Sequence, residues 1–283
     1  MNVEPPVVRP GTLTEAFEVM ADGRHRPLAG GTDLMVQLEA DVLEPPEAII
    51  DLWRLDELRG VGYDGYGVSI GALTTWTELR NSPVIRARLP ALSQAAATIG
   101  AAQIQNRGTI GGNICNASPA GDSLPVLLAV DATFDLGSAT GERSVAAREF
   151  WTGYRQTALH QDELLLRVRF PVERGRHTRF RKVGTRAAQA ISKVVLALSY
   201  RDEGPLWHEV RLALGSVAPT TIRAAQTEAV LEGAAPRQSV ADEAAAVLAA
   251  EISPIDDVRS TADYRRAVAA RVLHRLLREE GGW

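Results

Sequence analysis

Two pairs of adjacent glycines are the residues of this sequence best suited to ligand binding. They lie in A-G-G-T-D-L at 29–34 and in T-I-G-G-N at 109–113, about eighty residues apart. Glycine lets backbone N–H groups approach an anion without a Cβ atom in the way, and a nearby helix N-terminus adds a favourable dipole. The two loops could therefore hold a pyrophosphate from both sides, with hydroxyl and amide groups of Thr32, Thr109, Asn113 and Ser118 as further partners.

Two carboxylates flank these loops and suggest a second kind of contact. Asp33 lies in the first glycine segment and Asp122 follows the second, and either would repel a phosphate at close range. We expect them to face hydroxyl groups instead, such as those of a ribose or ribityl chain. Neither loop has the G-x-G-x-x-G spacing of a Rossmann fold or the spacing of a Walker motif, and a glycine pair by itself is also typical of an ordinary turn.

Composition and charge exclude several other classes of function. The 283 residues carry a formal net charge of -4, and the arginines are scattered among acids, so we expect no nucleic-acid partner. The five histidines lack a metal-ligand spacing such as H-E-x-x-H. No segment approaches the roughly eighteen apolar residues of a membrane span and no signal-peptide pattern is present, so we predict a cytoplasmic protein.

The single cysteine, Cys115, lies inside the second glycine segment. One thiol cannot form an intramolecular disulfide, and zinc and iron–sulfur sites need several ligands. We therefore expect no metal site in this chain. Cys115 is interpreted as a small packing residue rather than a redox-active group.

The order of the predicted elements indicates a mixed α+β protein. Short helices and strands alternate through the first 170 or so residues, and after about residue 176 three longer strands precede three helices. The last helix should pack on that sheet through Val268, Val272, Leu273, Leu276 and Leu277. Local signals predict, in the first part of the chain, a helix capped by Thr12, strands at 26–29 and 48–52, a helix at 32–39, a hairpin turning at Asp64 and Gly65, and helices from Thr74 to about Ala101. They next predict a helix capped by Ser118 with Pro119 in its first turn, and strands at 132–136, 164–170 and 178–183. The C-terminal helices should begin at Ile222, Ser239 and Thr261.

The glycine segments, taken together, resemble a known family. L-A-G-G-T-D-L and T-I-G-G-N-I-C-N-A-S-P-A-G-D-S-L-P, in this order and separation, are similar to the FAD-binding medium subunit (subunit M) of the xanthine dehydrogenase and carbon monoxide dehydrogenase family of molybdenum hydroxylases. The likeness covers nearly the whole chain. It continues through I-G-A-L-T-T, I-Q-N-R-G-T-I-G-G-N, F-W-T-G-Y-R-Q-T-A-L, D-E-L-L-L-R-V-R-F-P, F-R-K-V-G-T-R-A-A-Q-A-I-S-K-V and L-A-L-G-S-V-A-P-T.

The resemblance implies an α+β fold with two domains. Residues 1–172 would form a flavin-binding domain of two subdomains, of the vanillyl-alcohol oxidase (PCMH) type. Residues 176–283 would form a domain like the C-terminal domain of the CO dehydrogenase flavoprotein, a three-stranded antiparallel sheet with helices.

The resemblance also assigns cofactor contacts. The two glycine segments would enclose the FAD pyrophosphate, Ser118 and Asp122 would face the sugar-like parts, and Leu165 and Lys182 would lie beside the isoalloxazine ring, where Lys182 could tune the reduction potential. On residue pattern alone, Lys182 would be a solvated residue of an edge strand. FAD should be noncovalent, because no histidine lies in either glycine motif. The implied cofactor-binding residues are Leu28, Ala29, Gly30, Gly31, Thr32, Asp33, Thr109, Ile110, Gly111, Gly112, Asn113, Ser118, Asp122, Leu165 and Lys182.

The implied function is electron transfer within a heterotrimer. A small subunit would hold two [2Fe-2S] clusters, a large subunit the molybdenum cofactor, and this chain's flavin would pass electrons to NAD+ or another acceptor. The pattern looks most like xanthine dehydrogenases, with carbon monoxide dehydrogenases and N-heterocycle or aldehyde hydroxylases as alternatives. A self-sufficient flavin oxidase and a nucleotide-binding module without flavin are further alternatives. The first would need an acid/base pair that the sequence does not reveal, and both intact glycine pairs argue against the second.

Overall fold

The structure, a computed structural model, describes residues 5–40, 42–186 and 189–283. The alanine pair at 187–188, inside one of the segments that carry the resemblance, and the first four residues of the predicted N-terminal domain lie outside these ranges. The predicted α+β class is confirmed. No helix of the described residues is long and apolar enough to cross a bilayer.

A small parallel sheet begins the chain. Its strands are ordered β1-β3-β2, so the first glycine segment leaves the sheet at the carboxyl end of an edge strand. Thr12 caps the first helix as predicted, because its hydroxyl accepts a hydrogen bond from the Glu15 N–H. The elements are β1 (Val7–Val8), α1 (Leu13–Met20), β2 (His25–Leu28), α2 (Leu34–Glu39) and β3 (Ala48–Asp51), followed by a short 3-10 helix at Asp56–Leu58.

A five-stranded antiparallel sheet, ordered β4-β5-β10-β6-β7, forms the second layer, and a run of short helices connects its strands. The elements are β4 (Val61–Tyr63), β5 (Gly67–Gly71), α3 (Trp76–Asn81), α4 (Pro83–Arg88), α5 (Pro90–Thr98), α6 (Ala102–Gln105), α7 (Ile110–Asn116), α8 (Leu124–Ala129), β6 (Thr133–Ser138), β7 (Gly141–Ala146), α9 (Ala147–Phe150), β8 (Trp151–Gly153), β9 (Gln156–Thr157) and β10 (Leu164–Pro171).

Two predicted helix caps in this region are wrong. Thr75, not Thr74, begins α3, because Thr75 and Glu78 form a reciprocal capping box. Thr74 is fully buried and its hydroxyl bonds to the backbone of Gly60 instead. Ser118 starts no helix, since its hydroxyl only accepts from the Ala120 N–H, and α8 begins after Ser123.

The C-terminal sheet has four antiparallel strands rather than the predicted three. Ile222 begins a two-residue strand that pairs with the end of β13, where a helix was expected. The helices cover one face of this sheet, and Ala269, Leu273, Leu276 and Leu277 of the last helix are fully buried. The elements are β11 (Arg176–Val183), β12 (Val194–Glu203), β13 (Leu206–Gly215), β14 (Ile222–Arg223), α10 (Ala225–Leu231), α11 (Gln238–Glu251) and α12 (Ala262–Gly281).

The other face of the C-terminal sheet packs on the N-terminal part of the chain. Every residue of α8 is buried, and this helix lies against β12 and β13. Side chains from both parts, including Leu127 and Phe134 on one side and Val195 and Ala213 on the other, belong to one hydrophobic core. The shared core fixes β11 beside α5, which brings a C-terminal strand close to the glycine segments.

Candidate functional site

A cavity of about 520 Å³ lies where the two glycine segments meet. Its walls come from β2 and the loop after it, from the start of α7, and from the chain leading into β10. This volume is within the range of roughly 300–1,000 Å³ that is usual for cofactor and small-molecule sites. The cavity brings together all of the predicted residues from Leu28 to Asp33, together with Thr109, Gly111, Gly112, Asn113 and Leu165.

The first glycine segment offers unpaired backbone donors to this cavity. Gly31 has φ +77°, a conformation that glycine adopts without strain, and it turns the chain from β2 into α2. Within the described residues, the N–H groups at positions 30–33 have no hydrogen-bond partner. Most backbone N–H groups in a folded protein have a hydrogen-bond partner. Four consecutive N–H groups without one, beside a cavity, are suited to binding an anion.

The second segment is organised differently, because its backbone donors are already used. Thr109 caps α7, and its hydroxyl accepts a 3.1 Å hydrogen bond from the Gly112 N–H. The N–H groups of Ile110 and Gly111 donate to Thr74 and Ala72 carbonyls at 3.0 and 2.9 Å. This segment therefore lines the cavity with glycine backbone that carries no side chain, and with Asn113, rather than with free N–H groups. From the sequence, N–H donors were expected from both segments.

The glycines also let the walls approach one another. A Cβ atom on Gly30 would stand 1.9 Å from the carbonyl oxygen of Arg107, so the first loop rests directly on the backbone that leads into the second. A Cβ atom on Gly111 would stand 2.7 Å from atoms of Ala72, and this glycine is buried. Gly112 is exposed, and its Cβ would lie 3.9 Å from the Ala29 methyl group. Of the second pair, therefore, only Gly112 faces the first loop.

Ile110, Ser118, Asp122 and Lys182 are not part of the cavity wall. Ile110 is fully buried in the core. Lys182 is not the solvated edge residue that residue pattern favours, because its side chain is only 7% exposed. Its ammonium lies 2.5 Å from Oδ2 of the equally buried Asp122 and donates to the Thr98 carbonyl at 3.2 Å. Thr98 immediately precedes Ile99, which does line the cavity.

Burial dominates the electrostatics of this ion pair. Desolvation raises the pKa of Asp122, although the Lys182 ammonium opposes the shift. The second carboxylate oxygen, Oδ1, is buried and has no hydrogen-bond partner among the described residues. This oxygen therefore lacks the hydrogen bond that a buried carboxylate oxygen normally has.

The two parts of the chain match known protein families. Residues 1–173 match the family described as the FAD binding domain in molybdopterin dehydrogenase, and residues 179–280 match the CO dehydrogenase flavoprotein C-terminal domain. The chain belongs to the FAD-binding medium subunits of the molybdenum hydroxylases. The predicted family is therefore confirmed, as are FAD as the cofactor and the role of an oxidoreductase subunit.

Individual relatives of this medium subunit cover almost its entire length. The glyceraldehyde dehydrogenase medium chain of Sulfolobus acidocaldarius is 36% identical, over 96% of both chains. The putative xanthine dehydrogenase FAD-binding subunit of Escherichia coli is 32% identical, over 96% of this chain and 94% of its own. The structure of carbon monoxide dehydrogenase from Hydrogenophaga pseudoflava, in a form that lacks the Mo-pyranopterin moiety, aligns with a TM-score of 0.92 and 33% identity over 97% and 96% of the chains.

Sequence reasoning missed several polar residues that line the cavity of the medium subunit. His25 on β2 and His160 before β10 both do so, although neither lies in a glycine motif. Glu163 also lines the cavity, 3.6 Å from Nδ1 of His160, and both of its carboxylate oxygens accept hydrogen bonds from Arg143, at 2.6 and 2.7 Å. These hydrogen bonds lower the pKa of Glu163. The only signal in the sequence was position, because Glu163 lies two residues before Leu165 in the segment D-E-L-L-L-R-V-R-F-P.

Cys115 also lines the cavity of the medium subunit and is a free thiol. Desolvation raises its pKa to about 12, so the reactive thiolate is scarcely populated at neutral pH. Among the described residues, no three His, Cys, Asp or Glu side chains are arranged to hold a metal ion. The environment of Cys115 is that of a packing residue.

Proposed function

We propose that FAD binds in this cavity with its pyrophosphate on the first glycine segment. The four free N–H groups at positions 30–33 carry the proposal, because they supply donors to a dianionic group without competing protein acceptors. The second segment would close the cleft from the other side with Gly112 and Asn113. Thr109 would act through the cap that it provides to α7.

The rest of the cofactor would extend from this point in two directions. Leu165 lies on the cavity wall and would contact the isoalloxazine ring. Ser118 and Asp122, whose Oδ1 has no partner among the described residues, would contact the sugar-like parts of the cofactor after a rearrangement that opens the wall to them, since neither residue lines the cavity. Lys182, paired with Asp122, would place positive charge behind the ring and adjust its reduction potential. Because the Lys182 ammonium is buried, it would act on the cofactor in one of two ways. It would either act indirectly, through its ion pair with Asp122, or break that pair and contact the cofactor itself.

We further propose that the flavin serves as the electron exit of a heterotrimeric molybdenum hydroxylase in the cytoplasm. Electrons would arrive from [2Fe-2S] clusters of a small subunit, after oxidation of substrate at the molybdenum cofactor of a large subunit, and would leave to NAD+ or another acceptor. Flavin supplies this chemistry because it can exchange electrons both singly and in pairs. The role of this chain would be to bind and orient the isoalloxazine ring and to exclude water from it.

Three substrate classes are represented among the relatives. The relatives named for glyceraldehyde, xanthine and carbon monoxide have identities of 36%, 32% and 33%, so overall identity does not favour the xanthine dehydrogenases. A self-sufficient flavin oxidase would need a free acid/base group near the ring. Glu163 does not supply one, because Arg143 occupies both of its oxygens.

Cofactor content and partners provide the test. Purified chain should release FAD, near one per chain, on acid treatment, and should show no oxidase turnover with purines, aldehydes or carbon monoxide. Affinity purification from the native cells should recover molybdenum and iron together with the flavin. NADH added anaerobically should bleach the flavin absorbance of the complex if NAD+ is the acceptor. A chain that stays colourless with added FAD, or one that turns over substrate alone, would contradict the proposal.

A further inference from the structure

The Trp53 side chain lies outside the cavity and contacts two arginines, Arg59 and Arg107, that are adjacent in sequence to residues of the cavity wall. Trp53 follows β3 and is half-buried, and it is not among the residues that line the cavity. The guanidinium carbon of Arg107 lies 3.7 Å from the centroid of the Trp53 ring, and that of Arg59 lies 4.4 Å from it. Both distances are well inside the roughly 6 Å range of a cation–π contact.

Arg59 ties this ring to the backbone of two wall segments. Its guanidinium donates to the Trp53 carbonyl at 2.7 Å and to the Leu73 carbonyl at 3.1 Å. Leu52, directly before Trp53, and Leu73 both line the cavity. Arg59 therefore holds the Trp53 ring in a fixed place relative to the exits of β3 and β5.

The guanidinium of Arg107 has no comparable anchor apart from the ring. Its side chain is exposed, and within the described residues its guanidinium makes no hydrogen bond or ion pair. Its backbone, however, leads into the second glycine segment, and its carbonyl oxygen lies so close to Gly30 that a Cβ atom there would stand 1.9 Å from it. The stack on Trp53 thus adds to the hydrogen bonds that the Arg107 and Gly108 N–H groups donate to the Ile104 carbonyl, and helps to restrain the backbone against which Gly30 packs.

We infer that Trp53 is a positioning residue for the flavin, acting through Arg107. The ring holds Arg107, the Arg107 backbone supports Gly30, and the free N–H groups that follow Gly30 are kept at the distance from Gly112 that a pyrophosphate needs. This inference rests on the proposed binding of FAD between the two segments. It assigns Trp53 no contact with the cofactor.

The test measures the affinity and dissociation rate of FAD in the full chain, by flavin fluorescence, in Trp53→Leu, Arg107→Met and the double variant. Each single change should weaken FAD binding by about three- to thirty-fold, the range expected for loss of one cation–π contact, mainly through faster dissociation. The double variant should bind about as weakly as Trp53→Leu alone, because both changes remove the Arg107–Trp53 contact and only Trp53→Leu also removes the Arg59 contact. Trp53→Phe should recover part of the affinity, and Arg107→Lys should recover less because its ammonium stacks poorly.

Tyr63→Leu is the matched control. It removes a cation–π contact of the same type, with Arg88 at 4.6 Å from the ring centroid, but on the outer strand β4. Neither residue lines the cavity, so this variant should keep wild-type FAD affinity. Unchanged affinity in Trp53→Leu, or strictly additive losses in the double variant, would overturn the inference while wild-type binding still supports the flavin site. A wild-type chain without FAD affinity would overturn both.

Discussion

Adding one methyl group at Gly30 should separate the two glycine segments and weaken FAD binding. The Cβ atom of Gly30→Ala would lie 1.9 Å from the Arg107 carbonyl oxygen and 2.6 Å from its carbonyl carbon. An ordinary non-bonded contact is about 3.5 Å, so the loops would have to move apart by about 1.6 Å. Both contacted atoms are backbone, which cannot rotate away like a side chain. The cost should therefore fall at the upper end of overpacking, about 3 kcal/mol.

This cost should be seen mainly in the holo form. If FAD binding requires the native spacing, about 3 kcal/mol corresponds to an affinity loss of about 150-fold. Fluorescence titration with FAD measures this, and thermal unfolding of the apo chain separates a cleft defect from global instability. Gly62→Ala is the control, because the nearest atom to its added Cβ is 4.0 Å away and it lies on β4, outside the cavity. Wild-type affinity in Gly30→Ala would refute the claim that this contact sets the cleft.

Three further predictions concern buried titratable groups. Lys182→Met should leave Asp122 buried without its counter-ion and lower the free energy of unfolding in urea by about 3–5 kcal/mol. The double variant with Asp122→Asn should recover much of this loss. In the holo chain, an unchanged flavin potential in a spectroelectrochemical titration would refute the tuning role of Lys182. The pKa of Glu163 is lowered from its ordinary 4.5 by Arg143, so the pair stabilises the fold at neutral pH and loses this effect as pH falls below about 4.5; Glu163→Gln should flatten that part of an acid-unfolding curve. Cys115, with its pKa near 12, should react with a thiol reagent at pH 8 only when the chain unfolds, and rapid reaction of the folded chain would contradict its assignment as a packing residue.

The sequence could indicate where the cavity lies, because both predicted glycine segments line it. It was less informative about how each pair works. The T-I-G-G-N segment was expected to expose N–H groups, yet it forms the first turn of α7 although glycine is a poor helix former. Tertiary contacts override that propensity here, since Gly111 must fit against Ala72. The cap at Thr75 could have been found, because Glu78 stands at the capping-box spacing from Thr75 and not from Thr74.

Contacts between distant parts of the chain could not be predicted in this way. Asp122 and Lys182 are sixty positions apart, and no periodicity links the start of α8 to β11. The same holds for Trp53 and Arg107, which meet only because β3 ends beside the loop before α7. Such pairs depend on the relative placement of whole elements, which local propensity does not determine.

In the proposed site, the Asp122–Lys182 pair would give the C-terminal part of the chain a role in binding the flavin. Lys182 is carried by β11, at the edge of the C-terminal sheet, whereas Asp122 and Thr98 belong to the N-terminal part. Removing one partner of a buried ion pair destabilises a protein strongly, because the other charge is left without compensation. Withdrawal of β11 would do this to Asp122 behind the cavity wall. If Lys182 acts on the flavin as proposed, docking of the two parts and the charge near the flavin would thereby be coupled. A change that loosens the shared core, such as truncation of Val195 beneath α8, should consequently alter the flavin potential as well as stability.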